Sequence, residues 1–298
     1  MEVVLAGASG LIGSALRDAL RADGHHVKTL LRHKTSAPDT DSWDPTAGLV
    51  DPDFLAGADV VVCLSGVGVG SKRWTEDYKK QILQSRVDSV GTLARSLAEY
   101  GGHGQPRALV CASAVGYYGD SGARVVEEDS PSGSSFLADV CRQWEAAAEP
   151  ARAVGVRVAH LRTGLVLAGD SDLMRRLKPL VQLGVAGKLG SGRQYMPWIS
   201  LRDEIRAIQF LIDHDLSGPV NLTGPAPVTN AEFMKVIGRV LHRPTVLPAP
   251  GFGLRLVLGE FAGEVLGGQR AVPAALTAAG FEFQDRDVES ALRWALHR

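Results

Sequence analysis

Residues 3–13 read VVLAGASGLIG, a continuously apolar run that feeds into glycines at 7, 10 and 13. Each of the three glycines sits where a side chain would obstruct something. Gly7 permits a tight turn off a strand, Gly10 lets the backbone approach a pyrophosphate, and Gly13 lets the following helix pack closely on the sheet. The helix that follows carries Ile12, Leu16, Ala19 and Leu20 on one face, stops at Gly24, and leads to a second apolar segment at 26–31. That completes a strand, helix, strand unit of about thirty residues, the length such a unit requires. A phosphate at this turn would meet free backbone amides and the positive end of a helix dipole. The expected contacts are Gly7, Ser9, Gly10, Leu11, Ile12 and Gly13, with the Ser9 hydroxyl within reach of a phosphate oxygen.

The end of the second strand bears on which dinucleotide is bound. A site for NAD usually places Asp or Glu there, on the ribose hydroxyls, whereas a 2′-phosphate calls for arginine. This chain reads Leu30-Leu31-Arg32-His33-Lys34, with no carboxylate before Asp39. Arg32 can fork onto a phosphate and Lys34 can add a point charge, so the sequence points to NADP(H). The competing reading is a pair of solvated basic residues at a strand end.

With 298 residues and 45% hydrophobic content the chain can bury a substantial core. Its 32 basic and 33 acidic residues nearly cancel, which argues against nucleic acid or an anionic membrane as a partner recognised through global charge. Cys63, Cys111 and Cys141 are too few and too scattered for a disulfide framework or metal cluster, and they read as small core residues in a reduced compartment. The first strand begins within two residues of Met1 and no apolar run approaches the length of a membrane span, so the expected location is the cytoplasm.

Strands alternate with helices through the first half, which predicts an α/β fold with a parallel sheet covered on both faces. Residues 59–64 (DVVVCL), 108–112 and 156–161 are short apolar runs suited to buried parallel strands. Ligands lie beyond the carboxyl ends of such strands, which brings Leu64, Ser65, Gly66 and Ser113 beside the cofactor. A helix is expected over 75–100, with Thr75 as N-cap, and another over 135–154. The apolar stripe of the first fits either a homodimer face or a cover for the sheet. His160, inside a strand pattern, reads as a structural histidine. After Leu165 a glycine-rich stretch leads to Trp198, then a helix over 201–214 and a strand over 219–222 return to the main sheet. The resulting architecture is a Rossmann-type, doubly wound domain of residues 1–165 completed by 201–228, with a smaller, mostly helical C-terminal lobe of 166–200 and 229–298.

These residues resemble the extended short-chain dehydrogenase/reductases, the group of nucleotide-sugar epimerases and dehydratases. Within it, the chain is most similar to the atypical branch known as epimerase family proteins or NADP-dependent oxidoreductases. The resemblance rests on Trp43-Asp44-Pro45, Arg73-Trp74-Thr75, Ser85-Arg86-Val87, the 113–119 segment, Phe136-Leu137-Ala138, Trp144-Glu145, Leu161-Arg162-Thr163-Gly164, the 190–198 segment, Leu258-Gly259-Glu260 and Gly268-Gln269-Arg270. The parent family implies a catalytic Ser, Tyr and Lys, the tyrosine acting as acid or base and the lysine lowering its pKa while holding the nicotinamide ribose. Ser113 matches the first. In register with Glu145, the other two positions are Leu137 and Cys141, and no Tyr-x-x-x-Lys occurs between Gly119 and Gly155.

Two functional readings follow. In one, the chain is an NADP(H)-dependent oxidoreductase or nucleotide-sugar epimerase-like enzyme whose proton comes from another group, Tyr117 or Tyr118 being nearest to Ser113. In the other, it binds NADP(H) without turnover, as a sensor or scaffold. For a small-molecule, anionic or sugar-nucleotide-like substrate, Lys188 and Arg193 offer charge, and Trp74 and Trp198 offer ring faces. A solvated connecting loop is the alternative for the 184–198 segment.

Overall fold

The computed structural model describes residues 1–100 and 106–296. Seven strands form one parallel sheet: β1 Glu2–Ala6, β2 His26–Leu31, β3 Thr40–Ser42, β4 Val60–Cys63, β5 Ala108–Ala114, β6 Arg157–Thr163 and β7 Gly218–Leu222. Their spatial order is β7-β6-β5-β4-β1-β2-β3, all neighbours parallel. The chain runs outward from β1 in one direction and then, from β4, in the other. The switch point therefore lies between β1 and β4, where an open α/β sheet forms its ligand crevice. β4 is buried along its whole length, as its unbroken VVVC run requires of a strand covered on both faces.

Four helices provide most of that cover: α1 Leu11–Ala22, α2 Glu76–Tyr100, α3 Phe136–Ala146 and α4 Leu201–Asp213. On one face, Leu16 and Leu20 of α1 and Ile205, Ile208 and Leu211 of α4 pack against Val3, Leu5, Val62 and Val110. On the other, Val90, Leu93 and Leu97 of α2 and Trp144 of α3 meet Val4, Ala6, Val61 and Leu109. Each fully buried Leu or Val contributes about 1.5–3 kcal/mol relative to an exposed one. The apolar stripe of α2 is thus buried on the sheet within the single chain.

Local chemistry sets the helix boundaries. The Thr75 hydroxyl accepts the Tyr78 amide at 3.2 Å, and Ser135 and Ser200 cap α3 and α4 in the same way. The single helix expected over 135–154 is instead two. α3 ends at Ala146 and a second helix, Glu149–Ala153, has Pro150 in its first turn. Pro150 has no amide hydrogen to donate back along the first helix, so the chain breaks and restarts there. Strand ends also shift: β5 extends to Ala114, which puts Ser113 inside the sheet, in register with Arg162 of β6.

Beyond Leu165, a third apolar cluster gathers Leu167, Met174, Trp198, Phe233, Ile237, Val288 and Leu292. Its helices include α5 Asn230–Val240, started by a Thr229/Glu232 capping box, and α6 Val288–Leu296. All three cysteines are buried and unpaired, with Cys63 and Cys111 side by side on β4 and β5. Burial pushes the Cys63 thiol up to about 12. No described helix is long and apolar enough to cross a membrane.

Candidate dinucleotide site and catalytic cluster

The three glycines are separated by what surrounds them. Gly7 has φ +89°, and a Cβ there would lie 2.7 Å from the carbonyl carbon of Leu64. A Cβ on Gly13 would lie 2.1 Å from the Gly7 carbonyl oxygen. Both positions therefore exclude a side chain by backbone contact. At Gly10 a Cβ would meet only the Gly7 oxygen, at 3.5 Å, and the position faces open space. Gly10 is also the N-cap of α1; no side chain caps the helix and its first turn holds no acid. The amides that begin α1 are thus free for an anion. Ser9 and Gly10 are exposed beside them, Leu11 and Ile12 half-buried. The Leu64 amide donates to the Ala6 oxygen at 2.9 Å, which brings Leu64, Ser65 and Gly66 to the same edge of the sheet as this turn. A pyrophosphate fits this cradle in shape and charge.

At the end of β2, Arg32 and Lys34 are exposed, and neither has a hydrogen bond or ion pair among the described residues. A strand further along the crevice lies a polar cluster built on Ser113. Its Oγ donates to Glu145 Oε1 at 2.7 Å. Arg162 grips the same carboxylate with two hydrogen bonds, Nε to Oε1 and Nη2 to Oε2, both 2.9 Å. Arg162 Nη1 also donates to the Tyr118 hydroxyl and the Glu128 carbonyl, each at 3.0 Å. Burial opposes the Arg162 charge, but the bonds to Glu145 and Tyr118 outweigh it and raise its pKa, so the guanidinium stays protonated.

Tyr117 and Tyr118 differ in their surroundings. Tyr118 is 1% exposed, its hydroxyl donates to Asn221 Oδ1 at 2.7 Å, and burial pushes its pKa up to about 12. It is a buried structural link. Tyr117 is half-buried with its ring 3.5 Å beneath the Arg162 guanidinium, and its hydroxyl has no hydrogen bond among the described residues. On α3, Leu137 lies against Gly116, and burial pushes the Cys141 thiol up to about 12, which leaves it un-ionised at neutral pH.

The four expected substrate contacts do not come together. Trp198 is 1% exposed and its indole donates to the Ala226 carbonyl at 3.0 Å, so it is a core residue and presents no ring face to a ligand. Trp74 is buried too; its indole donates to the Val69 carbonyl at 2.8 Å and its ring packs on Phe136 and Phe261. Apolar surface of that size is worth more in the interior than at a wet site. Lys188 and Arg193 are exposed on one loop, where the Lys188 side chain lies beside Gly192 and the Arg193 amide donates to the Ser191 hydroxyl at 3.2 Å.

Glu145, Arg162, Asn221 and Glu128 complete the cluster and were not singled out as site residues. Trp144-Glu145 and Leu161-Arg162-Thr163-Gly164 stood out in the sequence, but their meeting depends on the β5/β6 register that sets Ser113 opposite Arg162.

Residues 3–223 match the family model described as NAD dependent epimerase/dehydratase family, and residues 249–295 match a domain of unknown function, DUF1731. An epimerase family protein of Mycobacterium leprae is 46% identical over 298 residues, taking in 99% of this chain and 96% of that relative. The crystal structure of human epimerase family protein SDR39U1 (isoform 2) with NADPH matches with a TM-score of 0.89 at 29% identity, over 100% of this chain and 99% of that one. A structure of the nucleoside-diphosphate sugar epimerase from Corynebacterium glutamicum matches at 0.80 and 35% identity, over 99% of this chain and 58% of that longer one. The family match runs from the first strand of the sheet through the last, and relatives align along the whole length: this chain belongs to the NAD dependent epimerase/dehydratase family.

Proposed function

We propose that the chain is an NADP(H)-dependent oxidoreductase or nucleotide-sugar epimerase-like enzyme that uses Tyr117 in place of the missing Tyr-x-x-x-Lys pair. The observation that carries the cofactor half is the open face of Gly10 at the uncapped start of α1, with Arg32 unpaired at the end of β2. A relative with NADPH at 29% identity over the whole chain adds support. NADP(H), when bound, supplies or accepts a hydride. Holding it falls to the amides at Gly10, Leu11 and Ile12 and the Ser9 hydroxyl at the pyrophosphate, with Gly7 and Gly13 shaping the turn. Arg32 and Lys34 take the 2′-phosphate, and Leu64, Ser65 and Gly66 line the crevice beyond.

The proton step is assigned to the Tyr117 hydroxyl, which exchanges a proton with the substrate oxygen as the carbon bearing it gains or loses hydride. The Arg162 guanidinium against its face fixes the plane of the ring. Ser113 directs its own proton to Glu145 and so keeps its lone pairs for a substrate hydroxyl. The substrate class, a sugar nucleotide or similar anion, draws support from the nucleoside-diphosphate sugar epimerase at 35% identity; Lys188 and Arg193 are offered as its outer contacts.

The test is NADPH oxidation by the purified protein against carbonyl and sugar-nucleotide substrates, with Tyr117→Phe and Ser113→Ala alongside. Turnover that both substitutions abolish, with NADPH binding retained, is the expected result. A second reading has its own observation: Leu137 and a un-ionised Cys141 stand where the parent family needs its tyrosine and lysine. NADPH binding without turnover on any substrate would favour a sensor or scaffold.

A further inference from the structure

Arg86 is a cation without a counter-ion at the edge of the crevice. It sits on α2, and its Nη1 donates to the Ile82 carbonyl of its own helix at 2.9 Å. Its guanidinium lies 4.9 Å from the centre of the Trp144 ring, and a Cβ built on Gly66 would come within 3.3 Å of its central carbon. No carboxylate pairs with it among the described residues. The titratable side chains within electrostatic range of it are the Cys141 thiol and the Tyr78 phenol. The thiol is un-ionised, and the phenol donates its proton to the Gly68 carbonyl at 2.6 Å. Burial depresses the Arg86 pKa for want of any compensating charge. Its remaining N–H groups have no partner among the described residues, yet they are not sealed from solvent.

A half-buried arginine with no acid beside it loses hydration and gains little in return. Such an arrangement is understandable where a ligand supplies the acceptors. Position indicates which part of a ligand that is. A doubly wound sheet binds a dinucleotide in two halves, one over β1 to β3 and the other over the strands beyond the switch point. Arg32 stands over the first half. Arg86 stands over the second, between the Leu64–Gly66 loop that follows β4 and the α3 face carrying Cys141. The Cys141 thiol in turn donates a hydrogen bond to the Ala114 carbonyl at the end of β5, at 3.6 Å. We infer that Arg86 binds the hydroxyls of the ribose on the nicotinamide side of NADP(H), a hold that α3, with Leu137 and Cys141, cannot provide. The inference rests on the NADP(H) reading above and adds a second anchoring point to it, some way from the pyrophosphate.

Calorimetric titration with three nucleotides tests it: NADPH; 2′-phospho-ADP-ribose, which keeps the second ribose without nicotinamide; and the 2′-phosphate of ADP, which ends at the pyrophosphate. Arg86→Met is expected to weaken the first two about tenfold or more and to leave the third unchanged. Arg86→Lys, which keeps the charge, recovers part of the loss, and it carries the test if the Met variant does not fold. Equal losses for all three nucleotides, or no loss for any, would overturn the assignment of Arg86. Failure of the wild-type protein to bind any of the three would overturn the cofactor reading itself, a different and separately visible result.

Discussion

Tyr117 and Tyr118 are adjacent in the chain and opposite in circumstance: one hydroxyl is buried and hydrogen-bonded, while the other belongs to a half-buried ring and has no hydrogen bond among the described residues. That contrast is the reason the proton step is proposed for Tyr117. Tyr117→Phe should lower kcat by a factor of roughly 10²–10⁴ while NADPH affinity stays within about twofold, since the lost group acts in proton transfer. The carboxylate of Glu145 does a different job, holding Ser113 and neutralising a buried arginine that is 3% exposed. Glu145→Ala should destabilise the fold by about 3–5 kcal/mol, read from the urea midpoint, because it strands the Arg162 charge. An unchanged midpoint would mean that the pair is not buried as described. Residue types at these positions were legible, but their partnerships were not. Glu145 and Arg162 meet only because α3 crosses the β5/β6 pair, and a tryptophan such as Trp198 reads the same in sequence whether it lines a site or fills a core.

At the scale of an element, the glycine turn was largely legible, since Gly13 is limited by the Gly7 carbonyl within the same turn and Gly7 needs its positive φ; the Leu64 backbone that also closes on Gly7 comes from a distant strand end and was not. The contrast between its glycines is testable. Gly13→Ala would drive a methyl group into the Gly7 carbonyl, and overpacking of this kind costs about 1–3 kcal/mol or more. Gly10→Ala adds a methyl group to open space on a backbone with φ −77°, so its effect on stability should stay under about 1 kcal/mol. Its effect on nucleotide binding should be large, because that open space is the proposed pyrophosphate seat. Thermal melts and NADPH titrations of the two variants check this, and a Gly10→Ala protein with full affinity would contradict the account of the cradle. What the sequence missed at this scale was local too: Pro150 splits one expected helix into two, and β5 runs two residues beyond its apolar core to Ala114.

On the scale of the whole molecule, the doubly wound parallel sheet and its two covered faces followed from strand and helix alternation, while the burial of an ionisable carboxyl on α4 did not. Glu204 on α4 is fully buried, accepts one hydrogen bond from Thr163 at 2.9 Å, and has no partner for its second oxygen. Burial pushes its pKa up to about 8. Between the ordinary carboxylate range and pH 8 the folded chain therefore holds a proton that the unfolded chain has released. Its contribution to stability is greatest at low pH and falls as pH rises through that window, by up to about 1.4 kcal/mol per unit. Glu204→Gln should flatten the decline and raise the melting temperature at pH 8 more than at pH 5; an equal shift at both would contradict the burial of an ionisable proton there.

NADP(H) binding through the glycine cradle and Arg32 underlies every functional step proposed for this chain. Calorimetric titration of the wild-type protein and Arg32→Ala with NADPH and NADH measures it. Loss of a charge-assisted contact worth about 1.5–3 kcal/mol predicts a tenfold to hundredfold drop in NADPH affinity for the variant, with NADH affinity almost unchanged. Wild-type protein that binds neither nucleotide, or that loses nothing when Arg32 is removed, would contradict it.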